Sequence, residues 1–174
     1  GLYVLTVTGP GGCTNTASAY LEADIAVPDA SAQNDTINCI QSLGILIGTT
    51  STIGSTFEWN GPGGFQSAES SPVVTTPGTY LLTITGPNGC TNTAAAELAA
   101  QTTAPGAVLF NDTIICTTYP HLVCQTSAQN PSYVWSGPNG FTSTQASPEV
   151  QQSGAYTVTV TDSTNGCTST AENS

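Results

Sequence analysis

The stretch Gly78-Thr79-Tyr80-Leu81-Leu82-Thr83-Ile84-Thr85-Gly86-Pro87-Asn88-Gly89-Cys90-Thr91-Asn92-Thr93-Ala94 decides the fold. Tyr80, Leu82 and Ile84 alternate with Leu81, Thr83 and Thr85, and a period of two predicts a half-buried β-strand. Gly86-Pro87-Asn88-Gly89 supplies the positive-φ positions of a hairpin turn, and the Thr-rich tail predicts the returning strand. The same stretch stands twice more, as GLYVLTVTGPGGCTNTA from Gly1 and GAYTVTVTDSTNGCTSTA from Gly154.

Working outward, the recurrence covers the whole chain. Cys13, Cys90 and Cys167 are 77 residues apart in turn, as are Asn34 and Asn111, and Cys39 and Cys116. Trp59 and Trp135 are 76 apart, so one residue is lost between Cys116 and Trp135. A fixed period of this length predicts an array of one repeated unit. Residues 1–27 then read as the closing hairpin of a preceding repeat, 28–104 as a complete repeat and 105–174 as a nearly complete one. The opening inside a strand reads as a piece of a longer mature protein.

Within a repeat, Asn34-Asp35-Thr36 turns the chain and Ile37 to Cys39 extends it. Leu43, Ile45 and Ile47 are expected on the core face of the next strand, matched by His121 to Cys124. On that alignment Cys124 takes the place of Ile47 and is expected as a buried free thiol. Phe57 and Trp59, like Tyr133 and Trp135, share an inward face. Gly61-Pro62-Gly63-Gly64 and Gly137-Pro138-Asn139-Gly140 turn the chain, and Ser71-Pro72-Val73-Val74 and Ser147-Pro148-Glu149-Val150 form short strands. Ala94 to Ala100 is expected to be extended rather than helical. About seven short strands per repeat predict an antiparallel β-sandwich. The inward Trp and the Gly-x-Tyr, which resembles a tyrosine corner, are immunoglobulin-like marks. The fold class is therefore all-β, with tandem immunoglobulin-like antiparallel β-sandwich repeats of period about 77 residues.

Composition narrows the function. The chain has no Lys or Arg, eleven acidic residues and a formal charge of −11. No side chain can neutralise phosphates, so nucleic acid is excluded as a partner, and an anionic membrane surface is disfavoured. No apolar run is long enough for a transmembrane helix, so membrane insertion is not expected. Six Cys in a chain rich in Thr, Ser, Asn, Gly and Pro point to an oxidising, extracellular setting.

Tyr/Phe-x-Trp, then Gly-Pro-Asn/Gly-Gly-Phe, then Ser-Pro-x-Val, Gly-x-Tyr-x-x-Thr and Asn-Gly-Cys-Thr together resemble the tandem Ig-like or PKD-like repeats of large Bacteroidetes-type surface adhesins and filament proteins. The resemblance runs over essentially the whole chain. It implies spacer repeats, exported through the outer membrane and often glycosylated. The absence of every Lys and Arg departs from an ordinary member of that class.

Candidate sites are few. Six Cys allow 15 pairings. The simplest scheme stays within repeats, joining Cys39 to Cys90 and Cys116 to Cys167, with Cys13 paired to a Cys before residue 1. In the rival scheme Cys39 meets Cys167 of the following repeat and produces a covalent chain of domains. Asn34-Asp35-Thr36-Ile37 recurs as Asn111-Asp112-Thr113-Ile114. Asn-x-Thr is an N-glycosylation pattern at Asn34 and Asn111. Asp-Thr-Ile resembles the Bacteroidetes-type O-glycosylation acceptor, at Thr36 and Thr113, with Ser163 a looser match. The competing reading is turn chemistry, in which Asn and Asp bond the nearby backbone. His121, the one His, has only Cys124 nearby and makes no zinc motif. Single acidic residues and the lack of a nucleophile motif argue against an enzyme. No cofactor is implied, only covalent glycans.

The expected function is structural: an extracellular rod or filament on a bacterial surface, with neighbouring repeats or further copies of itself, end to end, as partners. The alternative is an adhesin module whose loops bind carbohydrate or another cell. No residue can be singled out as a ligand contact.

Overall fold

A computed structural model describes residues 1–114 and 119–173. The described residues form seventeen β-strands and two single 3-10 turns, with no α-helix. In chain order the first eleven strands are β1 (Leu2–Thr8), β2 (Thr14–Tyr20), β3 (Ser31–Gln33), β4 (Asp35–Asn38), β5 (Gly44–Ile45), β6 (Ile47–Thr49), β7 (Thr56–Gly61), β8 (Phe65–Ser67), β9 (Val73–Val74), β10 (Gly78–Thr85) and β11 (Thr91–Gln101). Then follow β12 (Ala107–Leu109), β13 (Cys124–Thr126), β14 (Pro131–Ser136), β15 (Thr142–Ser143), β16 (Tyr156–Asp162) and β17 (Thr168–Asn173).

Strands β3 to β11 build an immunoglobulin-like β-sandwich. One sheet has the order β4-β11-β10-β7-β8. The opposite layer is made by β3 paired to β6 and β5 paired to β9. All these pairs are antiparallel except β4 with β11, which is parallel, so the first strand crosses from one layer to the other. Asp35 sits at that crossing. Its carboxylate accepts from the Thr36 N–H (2.8 Å) and from the Ile45 N–H (2.7 Å), and the turn expected at Asn34-Asp35-Thr36 is instead a one-residue break between two extended strands.

Alternation in β10 is as the sequence predicts: Tyr80, Leu82 and Ile84 are buried. They meet Trp59, Leu46, Val74, Ala96 and Leu98 in one core. Strands β12 to β17 repeat the plan, with the sheet β15-β14-β16-β17 and a second core of Leu122, Trp135, Val150, Tyr156, Val158 and Val160. Phe65 stands edge-on to Tyr80 and Phe141 edge-on to Tyr156, with ring centroids 5.3 and 5.4 Å apart. Each Tyr is a tyrosine corner: the Tyr80 hydroxyl donates to the Thr76 carbonyl and the Tyr156 hydroxyl to the Gln152 carbonyl, both at 2.7 Å. Ala94 to Ala100 is extended, inside β11.

The second strand of the repeat departs from expectation. Leu43, Ile45 and Ile47 face solvent, and Leu46 is the fully buried residue. Alternation alone cannot fix which set points inward, because a shift of one residue exchanges the two faces. Here the layer partner decides: the Leu46 N–H donates to the Pro72 carbonyl, and the Leu122 N–H likewise to that of Pro148. Leu122 is thus the counterpart of Leu46, and Cys124 that of Gly48 rather than of Ile47. Cys124 is half-buried at the edge of the second core instead of deep within it. Of His121 to Cys124, only Leu122 is a core residue and only Cys124 lies in a strand. The extension expected from Ile114 to Cys116 runs into residues outside those described.

The first hairpin stands apart. Strands β1 and β2 form a sheet of two, in the same register as β10 and β11. Every residue of both strands is exposed.

Candidate functional site at the junctions

The feature that distinguishes this chain lies where its two cores meet. Cys39 follows β4 of the first core, and Cys167 ends the β16–β17 turn of the second. They are joined by a disulfide with Cα atoms 5.0 Å apart, across 128 residues of sequence. The within-repeat pairs Cys39–Cys90 and Cys116–Cys167 are therefore corrected, because Cys39 and Cys167 bond each other. The physical reason is chain direction: β4 and β11 run parallel and end together, at the place where β11 leads into the next unit. That carries Cys39 to the far unit's hairpin turn and away from its own. Cys13 is exposed and free, Cys90 half-buried and free, and Cys116 lies outside the described residues.

Hydrogen bonds reinforce the junction. The Cys39 N–H donates to the Asn165 carbonyl (3.0 Å), and Asn165 Nδ2 donates to the Thr103 carbonyl of the connecting segment (3.0 Å). Asn165 Oδ1 in turn accepts from the Cys167 N–H (2.9 Å), which holds the amide in position. Pro105 of the connection is buried.

One unit earlier the same arrangement recurs. Asn88 Nδ2 donates to the Ala26 carbonyl (2.8 Å) and to Asp24 Oδ1 (2.9 Å), while its Oδ1 accepts from the Cys90 N–H (3.0 Å). Pro28 is buried and its carbonyl accepts from Asn92 Nδ2 (2.9 Å). Each Asn thus clamps a carbonyl 62 residues before it. Sequence reasoning missed this role. The available signal was the repeated Asn-Gly-Cys triplet, which reads as turn chemistry until the facing carbonyl is known.

The glycosylation candidates divide. Asn34 is exposed, and its Oδ1 accepts from the Glu97 N–H (2.9 Å). Thr36 is half-buried on β4, whose other edge is unpaired. Asn111, Thr113 and Ser163 are exposed. Asp112 Oδ1 accepts from the Thr113 N–H (2.7 Å), as Asp35 does from Thr36. Of the Asn-Asp pair, only the Asp bonds the neighbouring backbone, and Asp35 and Thr36 lie in strand β4 rather than in the turn expected there.

His121 is exposed and forms an isolated bridge with Glu149. Among the described residues no group of three or more His, Cys, Asp or Glu is placed to hold a metal. Burial pushes the Cys124 thiol up from its ordinary value. An open groove of about 540 Å³ is lined by Ile114, Leu122, Val150 and Tyr156. Among the described residues no helix is long and apolar enough to cross a membrane.

No protein-family profile and no curated protein match the chain. Several solved structures of immunoglobulin domains are similar to it. The first two Ig domains of DIP-gamma share 12% identity, with a TM-score of 0.42, over 84% of this chain and 95% of that one. Ig domains 1–4 of Sidekick-1 share 14%, with a TM-score of 0.41, over 99% and 57%. The N-terminal four Ig domains of Dscam1 isoform 4.4 share 13%, with a TM-score of 0.37, over 93% and 50%. At such scores the fold rests on the strand order itself, and these likenesses carry nothing about function.

Proposed function

We propose that this chain is a structural spacer: successive immunoglobulin-like units, 1–27, 28–104 and 105–174, lined up end to end as part of an extracellular rod or filament. The observation that carries this reading is the doubled junction, in which an Asn of one hairpin turn clamps the connection from the unit before it. A linker built for free movement would leave these groups to water. The Cys39–Cys167 disulfide supports an oxidising location. Assignment to a bacterial surface rests on the resemblance of the sequence motifs alone. Covalent glycans at Thr36 and Thr113, with Ser163 as a further acceptor, belong to the same reading, since they would hydrate a surface that has no Lys or Arg.

The carbohydrate-binding alternative has less to draw on. Trp59 and Trp135, the residues best suited to stack on a sugar, are fully buried. Electron microscopy of the native assembly tests the proposal. Units in line at a constant spacing are expected, and units clustered side by side would overturn it. Glycopeptide mapping tests the glycan component, and unmodified peptides across both Asn-Asp-Thr turns would remove it.

A further inference from the structure

We propose that Asn165-Gly166 is a modification site guarded by the Cys39–Cys167 disulfide. Reduction of that bond exposes Asn165 to spontaneous deamidation, and deamidation makes the opening of the junction permanent. The inference rests on the junction geometry and goes beyond the spacer reading, which concerns how units line up and not how long a junction lasts.

Four Asn-Gly pairs stand in the chain, at Asn60, Asn88, Asn139 and Asn165. In such a pair the Gly nitrogen can reach the Asn side-chain amide, because no Cβ shields it. At position 165 the Gly166 nitrogen bonds to Asn165 Cγ and the Cγ–Nδ2 bond breaks. Nδ2 leaves as ammonia, carrying the proton given up by the Gly166 nitrogen. Water then opens the succinimide ring at either carbonyl and leaves aspartate or isoaspartate.

The pairs are held differently. Asn60 and Gly61 lie in β7, where pairing with β10 and β8 keeps the backbone extended. Asn139 and Gly140 are exposed, and Asn139 Nδ2 donates to the exposed Gln152 side chain. Asn88 is clamped like Asn165. Asn165 is enclosed on every side. Its Nδ2 donates to the Thr103 carbonyl, its Oδ1 accepts from the Cys167 N–H, and its own carbonyl accepts from the Cys39 N–H. The attacking group is engaged too, since the Gly166 N–H donates to the Asp162 carbonyl (2.7 Å). The disulfide joins the two cysteines whose N–H groups hold Asn165. Cyclisation must swing Cγ onto the Gly166 nitrogen, and every one of these bonds opposes that movement. A low-molecular-weight dithiol breaks the disulfide by supplying two electrons and two protons, and becomes a disulfide itself. Cys39 can then move off with its unit, and local opening admits the reaction.

The junction needs this vulnerable pair. An amide both donates and accepts, as the clamp requires. Gly166 has a φ of 70°, and a Cβ on it would stand 2.1 Å from Ile40 Cγ1 of the preceding unit. Aspartate at position 165 has acceptors only, so the Thr103 carbonyl loses its donor. Isoaspartate also lengthens the backbone where it passes Ile40. Reoxidation of the cysteines reverses neither change.

The test ages the full chain at mildly alkaline pH in three forms: oxidised, reduced with a dithiol, and as Cys39→Ser. Pepsin digestion in acid and mass spectrometry then measure conversion at each Asn-Gly pair. In the oxidised chain Asn139 is expected to convert at least about 10-fold faster than Asn165. In the two opened forms Asn165 is expected to approach Asn139, whose own rate stays the same. Tryptophan fluorescence checks that both cores persist. A reduced chain reoxidised at once is expected to regain slow hydrogen exchange around residues 102–106, and one aged before reoxidation to keep fast exchange there. Asn165→Asp with the disulfide intact is expected to reproduce the aged state. Conversion of Asn165 as fast as Asn139 in the oxidised chain would overturn the proposal. So would an Asn165 that stays intact in both opened forms while Asn139 converts, or an aged chain that regains slow exchange.

Discussion

Gly48 lies beneath Leu82, so close that a Cβ on Gly48 would stand 2.7 Å from the Leu82 Cδ2. In the second core the pair is Cys124 and Val158: β13 carries the larger residue of the two matching positions, and β16 the smaller one. The two units thus fill the same space in opposite ways. Gly48→Ala alone is expected to cost about 1–3 kcal/mol through overpacking. Leu82→Val alone is expected to cost about 1 kcal/mol. Together they should cost less than the sum of the two, since the methyl removed makes room for the methyl added. Urea unfolding of the three variants measures the coupling, and strict additivity would show that the contact does not govern this position.

The tyrosine corners make a second pair of expectations. Tyr80→Phe and Tyr156→Phe each lose one hydroxyl bond to a loop carbonyl and keep the ring in its core. Each is expected to cost about 1 kcal/mol. The two residues belong to separate cores, so the double variant should show the sum. Thermal unfolding followed by tryptophan fluorescence checks this.

Asp162 predicts a pH dependence. Hydrogen bonds from the Thr164 hydroxyl, the Gln129 N–H and the Thr164 N–H hold its carboxyl below the ordinary carboxylate range, against a smaller opposing effect of burial. A carboxyl whose pKa is lowered by folding contributes stability that is present above its unfolded value and disappears as pH falls through the folded one. The loss therefore falls below about pH 4. Asp162→Asn keeps a neutral acceptor at the turn, and is expected to flatten the decline of the melting temperature below pH 4. An unchanged slope would place the acid sensitivity elsewhere, for instance at Asp29, which is lowered by Ser51 first of all.

The sheets were legible because the alternation in β10 and β16 is long and strict, and a strand of seven or eight residues with one apolar face has one sensible orientation. The short strand around Leu46 was not. Leu43, Ile45, Leu46 and Ile47 offer two apolar sets, and only the bond from Leu46 to Pro72 selects between them. The deleted residue falls between Cys116 and Leu122, which shifts Cys124 onto Gly48. The turn Asp162-Ser163-Thr164-Asn165-Gly166 then has one residue more than Gly86-Pro87-Asn88-Gly89 and restores the 77-residue step at Cys167. Both disulfide schemes could be read from the cysteine spacing. Only the parallel pairing of β4 with β11 decides between them, and parallel pairing leaves no mark in a four-residue strand.

The last prediction concerns that disulfide. Cys39→Ser and Cys167→Ser remove a bond between two units that each have their own buried core. Closing a long loop stabilises a single domain by about 2–4 kcal/mol. Here most of that constraint acts on the freedom of one unit relative to the other, so the cores should be destabilised by less than this range. The effect should appear at the junction instead. With the disulfide gone, the Asn165 clamp on Thr103 and the backbone bond from residue 39 to the Asn165 carbonyl are left to hold the hairpin turn at the junction. Hydrogen exchange is expected to quicken at Cys39 and around residues 102–106, with little change in β10 or β16. Adding Asn165→Ala should release the junction further and broaden the distribution of sizes seen by small-angle scattering. Because the chain has no Lys or Arg, trypsin cannot report on this opening, and a protease directed at Thr-rich or aromatic sequence is needed. Slower or unchanged exchange across the junction in the doubly substituted chain would mean that the two units are held together by contacts other than these.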